Sequence, residues 1–323
     1  MLPRSYGNVS ERGGATWSYD LFPWGFAALV ALFSLFEENR SFGAQFWFVS
    51  ALLLGLPHGA CDHLVMARLL GHGIKARYIM SFGSIYLGAA GTMFLVWLLA
   101  PTAALAAFLA LTAWHWGSAD AQLYKDRSGD FVLRSTSRGT LLVSSPITLY
   151  PEETMDAFSS LLEVTGSARY GASWTSQLAP HAFIASLLLC CLLVARDVKR
   201  GRPRKAAREA IEDCIILALF LCSSPVAATG AYFLFWHSWR HVLRVDRFIC
   251  GKRGGLSRRL VSYHLRALPM TAVSLTGLAL MALVLGGSDT EALLSAYLML
   301  LSCLTLPHAA LVLFWDAKNE RWG

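Results

Sequence analysis

Charge is what this 323-residue chain has least of. Its 28 Lys and Arg with 21 Asp and Glu amount to 15% of the residues, where soluble globular domains carry about a quarter. With 55% hydrophobic residues, that scarcity excludes a water-soluble enzyme of one or two ordinary domains. Low-complexity tracts, repeats of fixed period and apolar heptads are also missing, which excludes a disordered, collagen-like or coiled-coil chain. The cysteines, Cys61, Cys190, Cys191, Cys214, Cys222, Cys250 and Cys303, show no CxxC spacing. Most lie inside apolar runs, so they read as small buried hydrophobes rather than a disulfide framework or a zinc ribbon. No short apolar core followed by a small-residue cleavage site opens the chain, so a cleaved signal peptide is not expected.

What the chain has instead is long apolar runs. Measured against the roughly 20 apolar residues that a helix needs to cross a bilayer, they fall at 21–36, 42–70, 78–100, 102–123, 180–195, 211–223, 227–243, 268–285 and 292–314. A shorter piece at 139–150, containing Pro146, cannot span alone, and 151–179 reads as an exposed loop with an amphipathic segment. The expectation is an all-α polytopic transmembrane helical bundle of about 8–10 membrane helices.

The net charge of +7 would suggest nucleic acid in a soluble protein, but here the basic residues sit between apolar runs, as in cytoplasmic membrane loops. The loops at 196–208 and 244–266 are the most basic. Those holding Arg68, Lys75 and Arg77, and Lys125, Arg127, Arg134 and Arg138, are basic as well. All four lie in the cytoplasm only if the chain crosses once more between 139 and 165. The expectation is therefore ten crossings of the cell inner membrane, with a cytoplasmic C-terminus and no nucleic-acid partner.

Of nine histidines, six sit in or at the ends of apolar runs: His58, His63, His115, His237, His241 and His308. An ionisable residue inside a membrane helix is costly, faces the protein interior and is by default a functional candidate. From His58 to Arg68, His115 to Lys125 and His308 to Lys318 a helix rises about 15 Å, and from His237 to Arg244 about 10 Å. In the ten-crossing topology these four sites share one depth, so imidazoles from four helices can converge on one metal site inside the bundle. His237 and His241 are one helical turn apart and share a face. His58 and His63 are separated by roughly 140° on an ideal helix, so His63 falls to a supporting position unless Pro57 and Gly59 distort the helix. Asp62 and Asp120 can orient ligand imidazoles through the second ring nitrogen or serve as helix-end polar groups. His308 taken alone is better explained by a hydrogen-bonded core position than by ligation. His72, His181 and His264 belong to loops or run edges.

Imidazole suits zinc, copper, iron and nickel. An all-histidine site that is not lined up with any cysteine disfavours copper electron transfer and structural zinc, and is compatible with non-haem Fe(II). Trp114, Trp116, Phe233, Phe235, Trp236 and Trp239 flank the histidines. Among them Trp116, Phe235, Trp236 and Trp239 are candidates to line a site for an extended apolar molecule entering from the bilayer.

Four pieces together carry a resemblance: Gly55-Leu56-Pro57-His58-Gly59-Ala60-Cys61-Asp62-His63, Trp114-His115-Trp116-Gly117, Trp236-His237-Ser238-Trp239-Arg240-His241 and Leu306-Pro307-His308. In order and spacing the chain resembles the Brp/Blh family, the membrane-integral β-carotene 15,15′-dioxygenases that supply retinal to microbial rhodopsins. The resemblance implies an enzyme that uses Fe(II) and O₂ to cleave β-carotene at its central double bond, giving two all-trans-retinals. It puts the iron-binding, catalytic positions on His58, His115, His237 and His241. His63 and His308 are further histidines of the same motifs, each either a ligand or a support. A microbial rhodopsin is the implied retinal acceptor and the lipid bilayer the milieu. The implied organisation is a polar arm at 1–18, a single transmembrane catalytic domain at 19–316 and a short tail at 317–323. Two rivals are a membrane-embedded His-cluster lipid hydroxylase or desaturase, which usually carries more HxxxH and HxxHH boxes than the one HxxxH here, and a non-enzymatic haem- or metal-binding transporter.

Overall fold

Runs of Leu, Ala, Val and Phe with few breakers leave the backbone one way to satisfy its own polar groups in lipid, the α-helix. In a computed structural model, residues 17–36, 43–124, 129–166, 169–251, 255–285 and 289–320 are described, and they form helices with no strand among them. Residues 1–16, most of the expected arm, lie outside the described residues, as do 125–128 and 321–323. In chain order the helices are α1 (Phe22–Ser34), α2 (Gly43–Leu53), α3 (Gly55–Gly59), α4 (Asp62–Leu70), α5 (Ala76–Leu99), α6 (Pro101–Ala121), α7 (Gly129–Leu149), α8 (Pro151–Glu163), α9 (Ser173–Lys199), α10 (Pro203–Cys222), α11 (Pro225–Ala231), α12 (Trp239–Cys250), α13 (Leu256–Leu285) and α14 (Thr290–Glu320).

Proline sets several of the boundaries. Pro101, Pro151, Pro203 and Pro225 each open a helix at its first turn, where the missing N–H is not needed and φ is already helical. The α9–α10 turn combines Pro203 with Gly201 at φ +71°, a left-handed conformation natural to glycine. At Ser224 the side chain accepts the Ala227 N–H at 3.4 Å and starts α11.

Four helices are long and apolar enough to cross a membrane: Ala76–Leu99, Ser173–Lys199, Leu256–Leu285 and Thr290–Lys318. The pair Gly43–Leu53 and Gly55–Leu70, bent by 42°, makes a fifth if it is one broken span. The sequence suggests about twice as many, because the other helices are either short, as α1 is, or too polar, as α7 and α10 are. Side chains such as Leu99, Leu188, Leu192, Leu265, Leu283 and Val284 are exposed and apolar, the surface that lipid requires. Over its apolar window α14 is 56% buried and α13 only 6%, so α14 is a central helix and α13 a peripheral one.

The polar residues of α7 and α10 face inward. The piece expected to be a polar loop before residue 139 is the first half of α7, and the basic stretch after residue 195 is the end of α9 and the start of α10. On α7 the buried positions Asp130, Arg134, Arg138, Leu142 and Pro146 recur every four residues, so one polar and apolar stripe turns toward α9 and α10. Arg134 bonds Asp197 of α9 and Glu209 of α10, and Arg138 lies 3.1 Å from Asp213 and 3.5 Å from Glu212. Arg240 of α12 completes the layer, donating to Glu212 at 2.6 Å, to Asp120 at 3.1 Å and to the Tyr19 carbonyl at 2.9 Å. Asp20, next to the start of α1, pairs with Arg208. Buried charges such as these persist only when paired.

Helices α6 and α7 touch backbone to backbone. A Cβ at Gly117 would collide with the Ser135 carbonyl, and one at Gly139 with the Ala113 carbonyl. Small residues allow this approach in membrane bundles, and it fixes the height and rotation of His115, two residues before Gly117. Gly139→Ala must push the helices apart, an overpacking that costs about 1–3 kcal/mol. The expected result is a lower melting temperature in detergent, and a wild-type melt would contradict the close approach.

Of the seven cysteines, Cys61, Cys190 and Cys303 are buried as expected, while Cys191 and Cys214 are exposed and Cys222 and Cys250 partly so; all are free. The sequence places them in apolar runs, but those runs have a lipid-facing side as well as a core side.

Candidate metal centre

The second apolar run does not continue as a straight helix. It breaks at Leu54 and again at Ala60-Cys61, so that α3 is a single turn carrying His58. The distortion that Pro57 and Gly59 allow is present. It frees backbone carbonyls that α13 then satisfies: the Tyr263 hydroxyl lies 2.8 Å from the Pro57 oxygen and 3.0 Å from that of His58, while the His264 ring reaches the Leu53 oxygen at 2.6 Å. Buried carbonyls of this kind need partners, and those partners fix the turn that aims His58. His264, expected at a run edge, thus has a structural post.

His115 comes from α6 and His308 from α14. His237 sits in a π-helical stretch, Tyr232–Ser238, that separates α11 from α12, and His241 is in the first turn of α12. π-Helical turns are rare and concentrate at functional sites. No residue pattern announces this one.

The imidazoles of His58, His115, His237, His241 and His308 converge and are all buried. Ring centroids of His58 and His308, of His115 and His308, and of His241 and His308 are each 4.9 Å apart, and those of His115 and His237 4.8 Å. One ligand atom from each of His58, His115 and His237 lies within 4.8 Å of the others, and the same holds for Asp62, His241 and His308. His58 Nδ1 points at the Gly55 carbonyl, which can only accept, so Nδ1 carries the proton and Nε2 presents its lone pair. His115 Nε2, both ring nitrogens of His237, His241 Nε2 and His308 Nε2 are buried with no hydrogen-bond partner. Orphaned buried nitrogens demand an explanation, and five imidazoles aimed at one volume are the donor set that zinc, copper, iron or nickel accepts. A divalent ion fits these residues.

The other expected residues are placed as follows. His63 stands outside the cluster, its ring 6.5 Å from that of Phe82 and its carbonyl bonded by Tyr78. Asp62 orients an imidazole, but that of His308 on another helix rather than His58 on its own stretch: its Oδ2 is 2.8 Å from His308 Nδ1. Asp120 touches no histidine; it accepts from Tyr232 at 3.1 Å, Trp236 at 3.2 Å and Arg240 at 3.1 Å.

A largely apolar cavity runs from His58, His115, His237 and His308 out to α8 and to the Pro225 break. One wall is an aromatic stack in which Phe233 lies 5.5 Å from Trp47 and 6.0 Å from Trp116, with rings within 23° of parallel. Leu294, Leu298 and Leu301 of α14 line it as well, as do Ala157 and Phe158 of α8. Trp116 lines this cavity as expected. Phe235, Trp236 and Trp239 do not: Phe235 stacks on Phe26, Trp239 on Phe22, and Trp236 donates to Asp120. Neighbours in sequence point about 100° apart on a helix, so the residues flanking His237 cannot share its face. Residues one or two turns away can, and these are the ones missed: Phe233 and Thr229 before His237, Thr112 before His115, and Thr305 before His308. The segment 139–179, to which the sequence attached no role, supplies part of the cavity lining through α7 and α8.

The sequence model of a family described as Beta-carotene 15,15′-dioxygenase matches residues 49–316. The chain is also similar to the probable beta-carotene 15,15′-dioxygenase Blh of Halobacterium salinarum, with 30% identity over 286 residues, covering 83% of this chain and 82% of the relative. No solved structure matches it. The stretch matched by the family includes all five clustered histidines and Asp62.

Proposed function

The chain belongs to the β-carotene 15,15′-dioxygenase family, a family of oxidoreductases, and on that premise we propose that it cleaves β-carotene at the central 15,15′ double bond with O₂, giving two molecules of all-trans-retinal. The observation that carries this reading is the meeting of the orphaned imidazoles with the inner end of an apolar, aromatic-walled cavity inside a membrane bundle. His58, His115, His237 and His241 would hold a non-haem Fe(II) ion, and that ion, when bound, supplies the capacity to activate dioxygen that no side chain has.

The rest is the work of the chain. The parallel faces of Trp47, Phe233 and Trp116 offer a flat wall to a planar polyene, and the leucines of α14 press it from the other side. Apolar walls bind the polyene and exclude water, so the reacting double bond is held beside the histidines without competing solvent. The α8 end sets how deep one half of the substrate can go, which decides the double bond presented for cleavage. No proton donor is required by the stoichiometry, in agreement with a cavity whose polar groups beside the histidines are threonine hydroxyls. The single transmembrane domain would occupy 19–316, lie in the cell inner membrane with its C-terminus in the cytoplasm, and deliver retinal to an acceptor such as a microbial rhodopsin.

Expression in a β-carotene-producing bacterium tests the reading: the orange colour is expected to fade as retinal appears. Longer apocarotenals in place of retinal would refute central cleavage. Ala157→Trp, which fills the α8 end of the cavity, is expected to lower retinal formation more than about tenfold, the cost of misplacing a substrate by an ångström or so, while bound metal stays at the wild-type level.

A further inference from the structure

Four histidines account for the proposed centre, yet a fifth imidazole points into it and is held from behind. His308 is buried, and its ring centroid lies 4.9 Å from those of His58, His115 and His241. Its Nδ1 is 2.8 Å from Asp62 Oδ2. A carboxylate only accepts, so the proton of a neutral ring sits on Nδ1, and Nε2, buried and without a partner, turns its lone pair toward the other histidines. The tautomer is therefore the one that a metal ligand needs.

Asp62 is fixed in its turn. The Tyr86 hydroxyl of α5 donates to the same Oδ2 at 3.0 Å, and the break before α4 places Asp62 on the first turn of that helix, turned toward α14. Gly59 packs beside the pair: a Cβ there would stand in ordinary contact, 3.4 Å from His308 Nδ1 and 3.9 Å from Asp62 Oδ2. Among the described residues, Asp62 is the one carboxylate grouped with these histidines. Neutral imidazoles leave a divalent ion's two positive charges uncompensated in a buried site, and a carboxylate one ring away offsets part of that charge and raises the basicity of the imidazole between them.

We propose that His308 is a fifth nitrogen donor to the metal centre and that Asp62 and Tyr86 are its positioning residues, a relay Tyr86–Asp62–His308 drawn from three helices. This rests on the metal reading above and adds to it a ligand and two residues that act through it.

The test uses the full chain in detergent, stripped with a chelator and titrated with Co(II) or Fe(II) against a competing chelator. Asp62→Asn keeps the shape and an acceptor but loses the charge, and is expected to weaken metal binding about 10–100-fold, the usual cost of altering a ligand's outer partner. Tyr86→Phe removes one hydroxyl and is expected to weaken it less, by several-fold. In His308→Ala the visible Co(II) spectrum is expected to change, because the number of nitrogen donors changes; a purely structural histidine would not alter it. Wild-type affinity in both Asp62→Asn and Tyr86→Phe, or a wild-type Co(II) spectrum in His308→Ala, would overturn the proposal. Failure of the unaltered protein to bind either metal would overturn the metal reading itself, a distinct result. Should His308→Ala not fold, the Asp62→Asn and Tyr86→Phe titrations decide.

Discussion

Replacing His237 by alanine is expected to abolish retinal formation and strip the protein of most of its metal. His237 stands 4.8 Å from His115 and 5.6 Å from His58, ring to ring, and neither of its nitrogens has another partner. Only one ring nitrogen of a neutral imidazole can offer a lone pair to an ion, and neither nitrogen of His237 is committed to another group. Residues that merely support a ligand are typically worth 10–100-fold, so loss of a ligand should exceed about a hundredfold in turnover. His241→Ala is expected to behave alike. The measurement is iron per chain by elemental analysis alongside retinal by chromatography. Wild-type cleavage in His237→Ala would sink the assignment, and so would full metal content. His63→Ala is the control: its ring lies away from the cluster beside Phe82, so metal content should stay near wild type.

The second large effect concerns folding. Arg240 is buried between Asp20, Asp120 and Glu212, and among the described residues it is the one cation in salt-bridge range of Asp120. Arg240→Met leaves Asp120 with only the neutral donors Tyr232 and Trp236. Removing one partner of a buried pair costs about 3–5 kcal/mol, whereas removing both charges is often near neutral. Arg240→Met is therefore expected to yield little folded protein, and adding Asp120→Asn to recover much of the melting temperature. A double variant no more stable than the single one would show that packing of the long Arg240 side chain over Trp236, 4.5 Å from its ring, matters more than charge.

That layer explains what hydropathy could and could not reveal. The membrane class is legible because exposed side chains on α5, α9 and α13 are apolar almost throughout, and a sliding average detects that directly. Helices α7 and α10 escape it because the average mixes two faces: Arg134, Arg138, Glu209 and Glu212 are turned inward and neutralise one another, so stretches that look like solvated loops are buried helix. The centre is legible for a different reason. Histidine is rare within apolar runs, and convergence of several such residues has few bland explanations. What stays hidden depends on distant partners: Asp62 meets His308 across 246 positions and Tyr86 across 24. No local pattern announces either. The assignment of Trp236 and Trp239 to the cavity failed on geometry alone, since adjacency in sequence is not adjacency on a helix face.

The cluster also dates itself. Its first and last members, His58 and His308, meet ring to ring although far apart along the chain, with His115, His237 and His241 delivered by two further stretches between them. Contacts so far apart along the chain form late and slowly. No fragment that lacks any of these helices can present the full donor set, and a molecule in which one helix is misdocked presents an incomplete one. On the metal reading proposed above, occupancy of the centre is thereby a census of finished molecules: under saturating metal, the fraction of chains that holds an ion tightly measures the fraction that has completed assembly.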